Sequence, residues 1–117
     1  MPTIIDDDGK ERLTRTCYVI ELETEACADR RAPCGGGCGK VPLYVGETAL
    51  VAEERFAQHK SGRKASRWVK RYGVRLRQEL ARGYEDLGSD SRVADRKEKE
   101  LAEQLRRTGK YCVRTGP

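Results

Sequence analysis

Along CYVIEL (17–22), Tyr18, Ile20 and Leu22 fall on one side of the chain and Cys17, Val19 and Glu21 on the other. A period of two belongs to a strand and not to a helix. A second short apolar run, VPLYV (41–45), follows a polar, glycine-rich connector at 23–40, and Pro42 marks its entry or an edge. Two consecutive strands joined by one connector are expected to pair antiparallel. What precedes them is poor in core material: residues 1–14, with the acidic run Asp6-Asp7-Asp8, read as a flexible lead-in.

After the second strand the period changes. ALVAEERFAQHK (49–60) has helix-forming composition, with Thr48 typed for its cap. Over 64–72, Ala65, Trp68, Val69 and Tyr72 recur at i, i+3, i+4 and i+7, and Gly73 supplies a stop. VRLRQEL (74–80) alternates again as a third strand. Beyond the LGSDS loop a helix is expected from about Arg92 to Arg107, capped by Ser89, Asp90 or Ser91, and KYCVRTGP adds at most a last extended piece. The order ββααβα predicts an α+β domain over 15–114, with a small three-stranded antiparallel sheet flanked by helices. At 117 residues the chain has material for one domain.

The net charge of +5 hides an asymmetry. Between residues 60 and 82 stand nine Lys or Arg (Lys60, Arg63, Lys64, Arg67, Lys70, Arg71, Arg75, Arg77 and Arg82) against one acid, Glu79. Such a block is either a solvated face or a footprint for phosphates, with counterion release driving binding. No run is apolar enough to cross a bilayer, and MPTIIDDDGK lacks the basic start and apolar centre of an export signal. The expectation is a cytoplasmic protein without a membrane partner.

Two features of the helices stand out. The apolar stripe Ala94, Leu101, Leu105 of the last helix is completed by Glu98. A carboxylate there is costly to desolvate unless it meets a cation or donors. It is either a border residue paired with Lys97 or a nearby Arg, or a metal-binding carboxylate facing a cleft. Arg55 and His59 share a face at i, i+4, and His59 is the single histidine of the chain. A neighbouring guanidinium would keep that imidazole neutral and fit to accept a proton; a lone surface histidine is the alternative.

The five cysteines are an odd number for a disulfide framework. Cys27, Cys34 and Cys38 lie in the connector and Cys112 near the C-terminus. Together they are candidate ligands of a structural Zn²⁺, although the spacing is not that of paired CxxC knuckles. Free thiols or a disulfide remain alternatives, and Cys17, inside a strand, reads as packing. The glycines of APCGGGCGK do not form a phosphate loop, because Cys34 and Val41 stand where that motif needs glycine and Ser or Thr.

TCYVI (16–20), LYVG (43–46), RFAQH (55–59) and KEKELAEQL (97–105), in this order, resemble the successive signatures of the GIY-YIG nuclease superfamily. The resemblance covers about residues 16–108. It implies that Tyr18 matches the tyrosine ending GIY, that Tyr44 and Gly46 match the outer letters of YIG, and that Arg55, His59 and Glu98 match the helix arginine, histidine and metal-binding glutamate. Thr16 in place of the first glycine and Glu47 in place of a common lysine depart from the pattern. The resemblance implies a DNA endonuclease using Mg²⁺ (or Mn²⁺) held by Glu98. Lys60, Arg63, Lys64, Arg67, Lys70 and Arg71 would face the nucleic acid, with specificity supplied by a homodimer or a targeting partner protein.

In that reading Tyr18 or Tyr44 positions the attacking water or takes its proton, with Arg55 or the metal stabilising phenolate. Arg55 holds the scissile phosphate in a two-pronged grip, and His59 relays the proton or contacts a neighbouring phosphate. Two other readings are open: a GIY-YIG-like domain that binds nucleic acid without cutting it, and a zinc-stabilised interaction module.

Overall fold

A computed structural model describes residues 3–5, 11–28, 39–49, 52–62 and 66–115. The elements are β1 (Thr3–Ile5), β2 (Glu11–Leu13), β3 (Thr16–Leu22), α1 (Glu25–Ala28), β4 (Val41–Thr48), α2 (Ala52–Ser61), α3 (Arg67–Tyr72), β5 (Gly73–Leu76), a 3-10 turn (Gln78–Ala81), α4 (Ser91–Arg107) and β6 (Tyr111–Thr115). Strands β1 and β2, within the expected lead-in, pair antiparallel as a separate two-stranded ladder.

The main sheet is α+β in setting but not three-stranded and not antiparallel throughout. It has four strands in the order β5-β3-β4-β6. β3 pairs antiparallel with β4 (Tyr18↔Gly46, Ile20↔Tyr44) and with β5 (Ile20↔Leu76), while β6 runs parallel to β4 (Pro42↔Cys112, Leu43↔Val113). With α1, the 3-10 turn and β6 added, the element order departs from the expected ββααβα. The reason is physical. A parallel partner must be reached by a long crossover, so nothing local in KYCVRTGP announces its pairing.

Burial explains the alternation in β3. Cys17 and Val19 pack with Leu43, Val45, Val113 and the α4 residues Leu101, Ala102 and Leu105. Tyr18, Ile20 and Leu22 pack on the opposite face with Tyr44, Trp68, Val69, Phe56 and Tyr72, from β4, α2 and α3. The sheet is thus a middle layer, and Cys17 through Ile20 are all buried. At its open end, where β5 does not reach, loop backbone takes over the ladder: the Cys17 amide donates to the Tyr84 carbonyl at 2.9 Å and the Leu87 amide to the Arg15 carbonyl at 2.8 Å. That substitution keeps the buried polar groups at the end of β3 satisfied.

The helices begin and stop for local reasons. Asp90 caps α4 by accepting from the Arg92 amide at 2.9 Å, and Ser66 caps α3 by accepting from the Trp68 amide at 3.3 Å. Gly73 does follow α3, but its φ of −62° is not the left-handed stop expected of it. Its smallness serves closeness instead, since a Cβ there would meet the Val69 carbonyl oxygen at 2.6 Å. No helix among the described residues is long and apolar enough to cross a membrane.

Candidate active site

Tyr18 on β3 and Tyr44 on β4 emerge on the α2–α3 face of the sheet with ring centroids 6.2 Å apart. His59 of α2 completes a three-ring cluster, 5.9 Å from Tyr18 and 5.7 Å from Tyr44. The glycine opposite Tyr18 is what admits the ring: a Cβ on Gly46 would overlap the phenol oxygen of Tyr18. The last letter of the YVG segment is therefore dictated by the first tyrosine.

His59 is fully buried, and both ring nitrogens are used. The Ser66 amide donates to Nδ1 at 2.9 Å, so the ring proton sits on Nε2, which lies 2.8 Å from the Tyr18 hydroxyl and donates to it. Burial first, and the Arg55 guanidinium second, push the imidazole down to about 4. His59 is neutral, as the i, i+4 spacing suggested, but a sealed ring with both nitrogens engaged is not placed to touch a phosphate. It holds Tyr18.

Arg55 donates to Gln58 Oε1 at 3.0 Å and is also hydrogen-bonded to Tyr18. The Tyr18 phenol is pushed well above its ordinary range, by burial above all and then by Tyr44, while Arg55 pulls it down. Tyr44 is raised too: burial and the Glu98 carboxylate outweigh hydrogen bonds with Ser66 and Tyr18 and the charge of Arg55. Neither ring rests as a phenolate. Arg55 alone does not offset burial, because two phenols and an imidazole sharing a buried pocket favour the neutral forms.

Glu98 is reached from the other face of the sheet. It sits on α4, one turn before Leu101 and Ala102, and is half-buried. Its flanking cations are already engaged: Lys97 pairs with Glu100 at 3.2 Å and Lys99 with Asp95 at 3.2 Å. Glu98 itself makes no ion pair among the described residues. Burial, then Glu47 and Asp95, push it up to about 7, against a small pull from Lys99. Its charge acts on Tyr18 and Tyr44 as well as on the Cys17 thiol, which burial, Glu98 and Glu47 raise to about 12. Glu98 thus couples electrostatically to both faces of the sheet. Glu47, paired in register with Cys17, is held by Arg15 Nη1 at 2.9 Å.

Among the described residues no three His, Cys, Asp or Glu side chains form a ready metal cage. A half-buried carboxylate with no ion pair among the described residues fits Mg²⁺ all the same, because that ion binds through one or two carboxylates and keeps most of its waters. For the zinc expectation, Cys27 and Cys112 meet in a small buried cluster of their own, apart from Cys17. Cys34 and Cys38 lie outside the described residues, as do Arg63 and Lys64. Lys60, Arg67, Lys70 and Arg71 are exposed on α2 and α3, and none of the four pairs with a carboxylate among the described residues. Lys60 Nζ donates to the Gly73 carbonyl at 2.9 Å, and Arg71 lies 5.3 Å from the Tyr72 ring centre. Arg75 and Arg77, from the same basic block, are instead bound to Glu21, at 3.2 and 2.6 Å.

The residues that composition did not single out are Ser66 and Arg15. Ser66 was visible only as a helix-cap type before RWVKRY, and Arg15 carried no signal beyond its charge. Comparison of the chain with models of protein families, with curated proteins and with solved structures finds no match.

Proposed function

We propose that this protein is a phosphodiesterase acting on nucleic acid, assembled around Tyr18, Tyr44, Arg55 and Glu98. More particularly, we read it as a metal-dependent DNA endonuclease of GIY-YIG type, with His59 a positioning residue. The observation that carries this reading is the half-buried Glu98, without an ion pair among the described residues, whose charge is felt by two phenols that share a hydrogen-bond network with an arginine.

Glu98 is the residue that would hold Mg²⁺ or Mn²⁺, which supplies charge neutralisation at a phosphate and a more acidic bound water. Arg55 offers a planar fork matched to a phosphate's oxygens, which the point charge of lysine does not reproduce. Tyr18 accepts from His59 and Arg55 and directs its own hydroxyl proton to Tyr44, which links the two phenols and the arginine in one network. In the resting site both phenols are hydrogen-bond groups that orient water or phosphate. Either becomes a base only as positive charge accumulates beside it, and Arg55 is the cation among the described residues that pulls Tyr18 that way. The four exposed cations of α2 and α3 cover the same sheet face as the tyrosines, where a strand of DNA would be held by its phosphates.

Incubation with branched, nicked and linear DNA in Mg²⁺ or Mn²⁺ tests the proposal. Cleavage is expected, with Glu98→Ala and Arg55→Lys each lowering the rate about 10²-fold or more, as loss of an electrostatic catalytic group does. Retarded but uncut DNA across the panel would replace the enzyme with a binding domain. Unchanged turnover in both variants would sink the site assignment.

A further inference from the structure

Trp68 of α3 begins a series of planar groups that runs out of the core. Its ring is 4% exposed, and the Arg114 guanidinium of β6 lies over it at 3.9 Å. Tyr72, one turn further along α3 and half-buried, stacks against Trp68 with ring centroids 5.8 Å apart and planes 29° from parallel. The exposed Arg71 guanidinium follows, 5.3 Å from the Tyr72 ring centre. Arg67 and Arg71 share a helix face at i and i+4, and with Trp68 and Tyr72 they line one concavity. Its walls are anchored on every side. Ser66 caps the helix, the Tyr72 carbonyl accepts from the Glu23 amide at 2.8 Å, and Lys60 Nζ donates to the next carbonyl, Gly73, at 2.9 Å.

Core packing accounts for Trp68 but not for the outer end of this series. There a half-buried phenol stands beside two exposed guanidinium groups, neither of which pairs with a carboxylate among the described residues. A flat π surface next to fixed positive charge is complementary to an aromatic base carried on a phosphate. The base stacks on a phenol or guanidinium plane, and the phosphate meets a guanidinium fork. A duplex keeps its base faces inside its own stack, so the ligand that fits is an unpaired nucleotide. We propose that Arg67, Arg71 and Tyr72 form a binding site for an unpaired nucleotide of a nucleic-acid strand, the base stacking on Tyr72 and Arg71 and the phosphate meeting Arg67. Trp68 and Tyr72 belong to the same packed layer as Tyr18 and Tyr44, so the site shares a sheet face with the candidate active site. The inference rests on the reading of the protein as one that acts on nucleic acid, and it narrows the substrate to strands with a single-stranded segment.

Fluorescence anisotropy in chelator tests this without reference to cleavage. The full chain is expected to bind a single-stranded oligonucleotide about tenfold more tightly than a strand of equal length built from abasic units, the loss that one stacked base entails. That comparison uses the wild-type chain and needs no variant to fold. Tyr72→Phe should keep the preference. Tyr72→Leu, which retains apolar packing without a flat ring, should lose it while duplex affinity and the salt slope stay unchanged. Arg67→Ala should instead lower the single-strand salt slope by about 0.7. Equal affinity for the normal and abasic strands, or equal loss of duplex and single-strand binding in Tyr72→Leu, overturns the site and leaves the phosphodiesterase reading standing. Base-dependent binding without cleavage in Mg²⁺ supports the site and removes the phosphodiesterase.

Discussion

Tyr18 depends on His59 more than the spacing of Arg55 and His59 disclosed. Tyr18→Phe removes the acceptor of a buried Nε2–H, and leaving such a group unpaired costs about 1–3 kcal/mol. Urea denaturation should show that loss, together with lost cleavage. Glu98 carries a different signature. Its proton is bound more tightly in the folded chain than in the unfolded one. Its stabilising contribution is therefore complete below its ordinary value of 4.5 and disappears as pH rises to about 7. Glu98→Gln abolishes that titration, so in chelator the variant should match the wild type near pH 4.5 and exceed it in stability above pH 7. His59 acts in the opposite sense, since an imidazole lowered to about 4 loses stability as pH falls from its ordinary 6.5. The difference between wild type and Glu98→Gln, rather than either curve alone, isolates the carboxylate. Residues were legible here to the degree that they broke a local pattern. Glu98 interrupts an apolar stripe and the two tyrosines alternate within strands. Ser66 acts on His59 through its backbone amide, which no side-chain pattern encodes.

At the level of elements, legibility followed locality. β3, β4, α3 and α4 announced themselves by periods of two or 3.6 and by caps such as Asp90. β6 did not, because its stability comes from pairing with β4 across most of the chain. α1 is a single turn whose meaning lies in where it holds Cys27. The β6 edge of the sheet was thus the hard part; the opposite edge, β5 (Gly73–Leu76), was expected from the alternation of VRLRQEL, and the centre, where the tyrosines stand, was the easy part. β6 does more than widen the sheet: Arg114 lies over the Trp68 ring at 3.9 Å and Cys112 meets Cys27. It therefore joins α1 and α3, two elements that share no strand pairing.

The whole molecule presents its charge unevenly. Arg75 and Arg77 are paired with Glu21 and Glu79, while Lys60, Arg67, Lys70 and Arg71 are exposed on one layer. Four phosphate contacts imply that the logarithm of duplex affinity falls with the logarithm of salt at a slope of about −3.6, with each Lys or Arg to Ala change reducing it by about 0.9. Fluorescence anisotropy at several salt concentrations checks this, and a slope near zero removes the face from the DNA reading. The sealing of His59 has another consequence. The chain's single histidine is 0% exposed and covered by α2, α3 and the sheet. An imidazole-selective acylating reagent can reach it only after those layers part, so its modification rate should rise with reagent concentration and level off at the rate of opening once acylation outpaces reclosing. Evolution has left this protein a tamper seal: one ring, spectroscopically unique, that is marked only if the pocket has been broken.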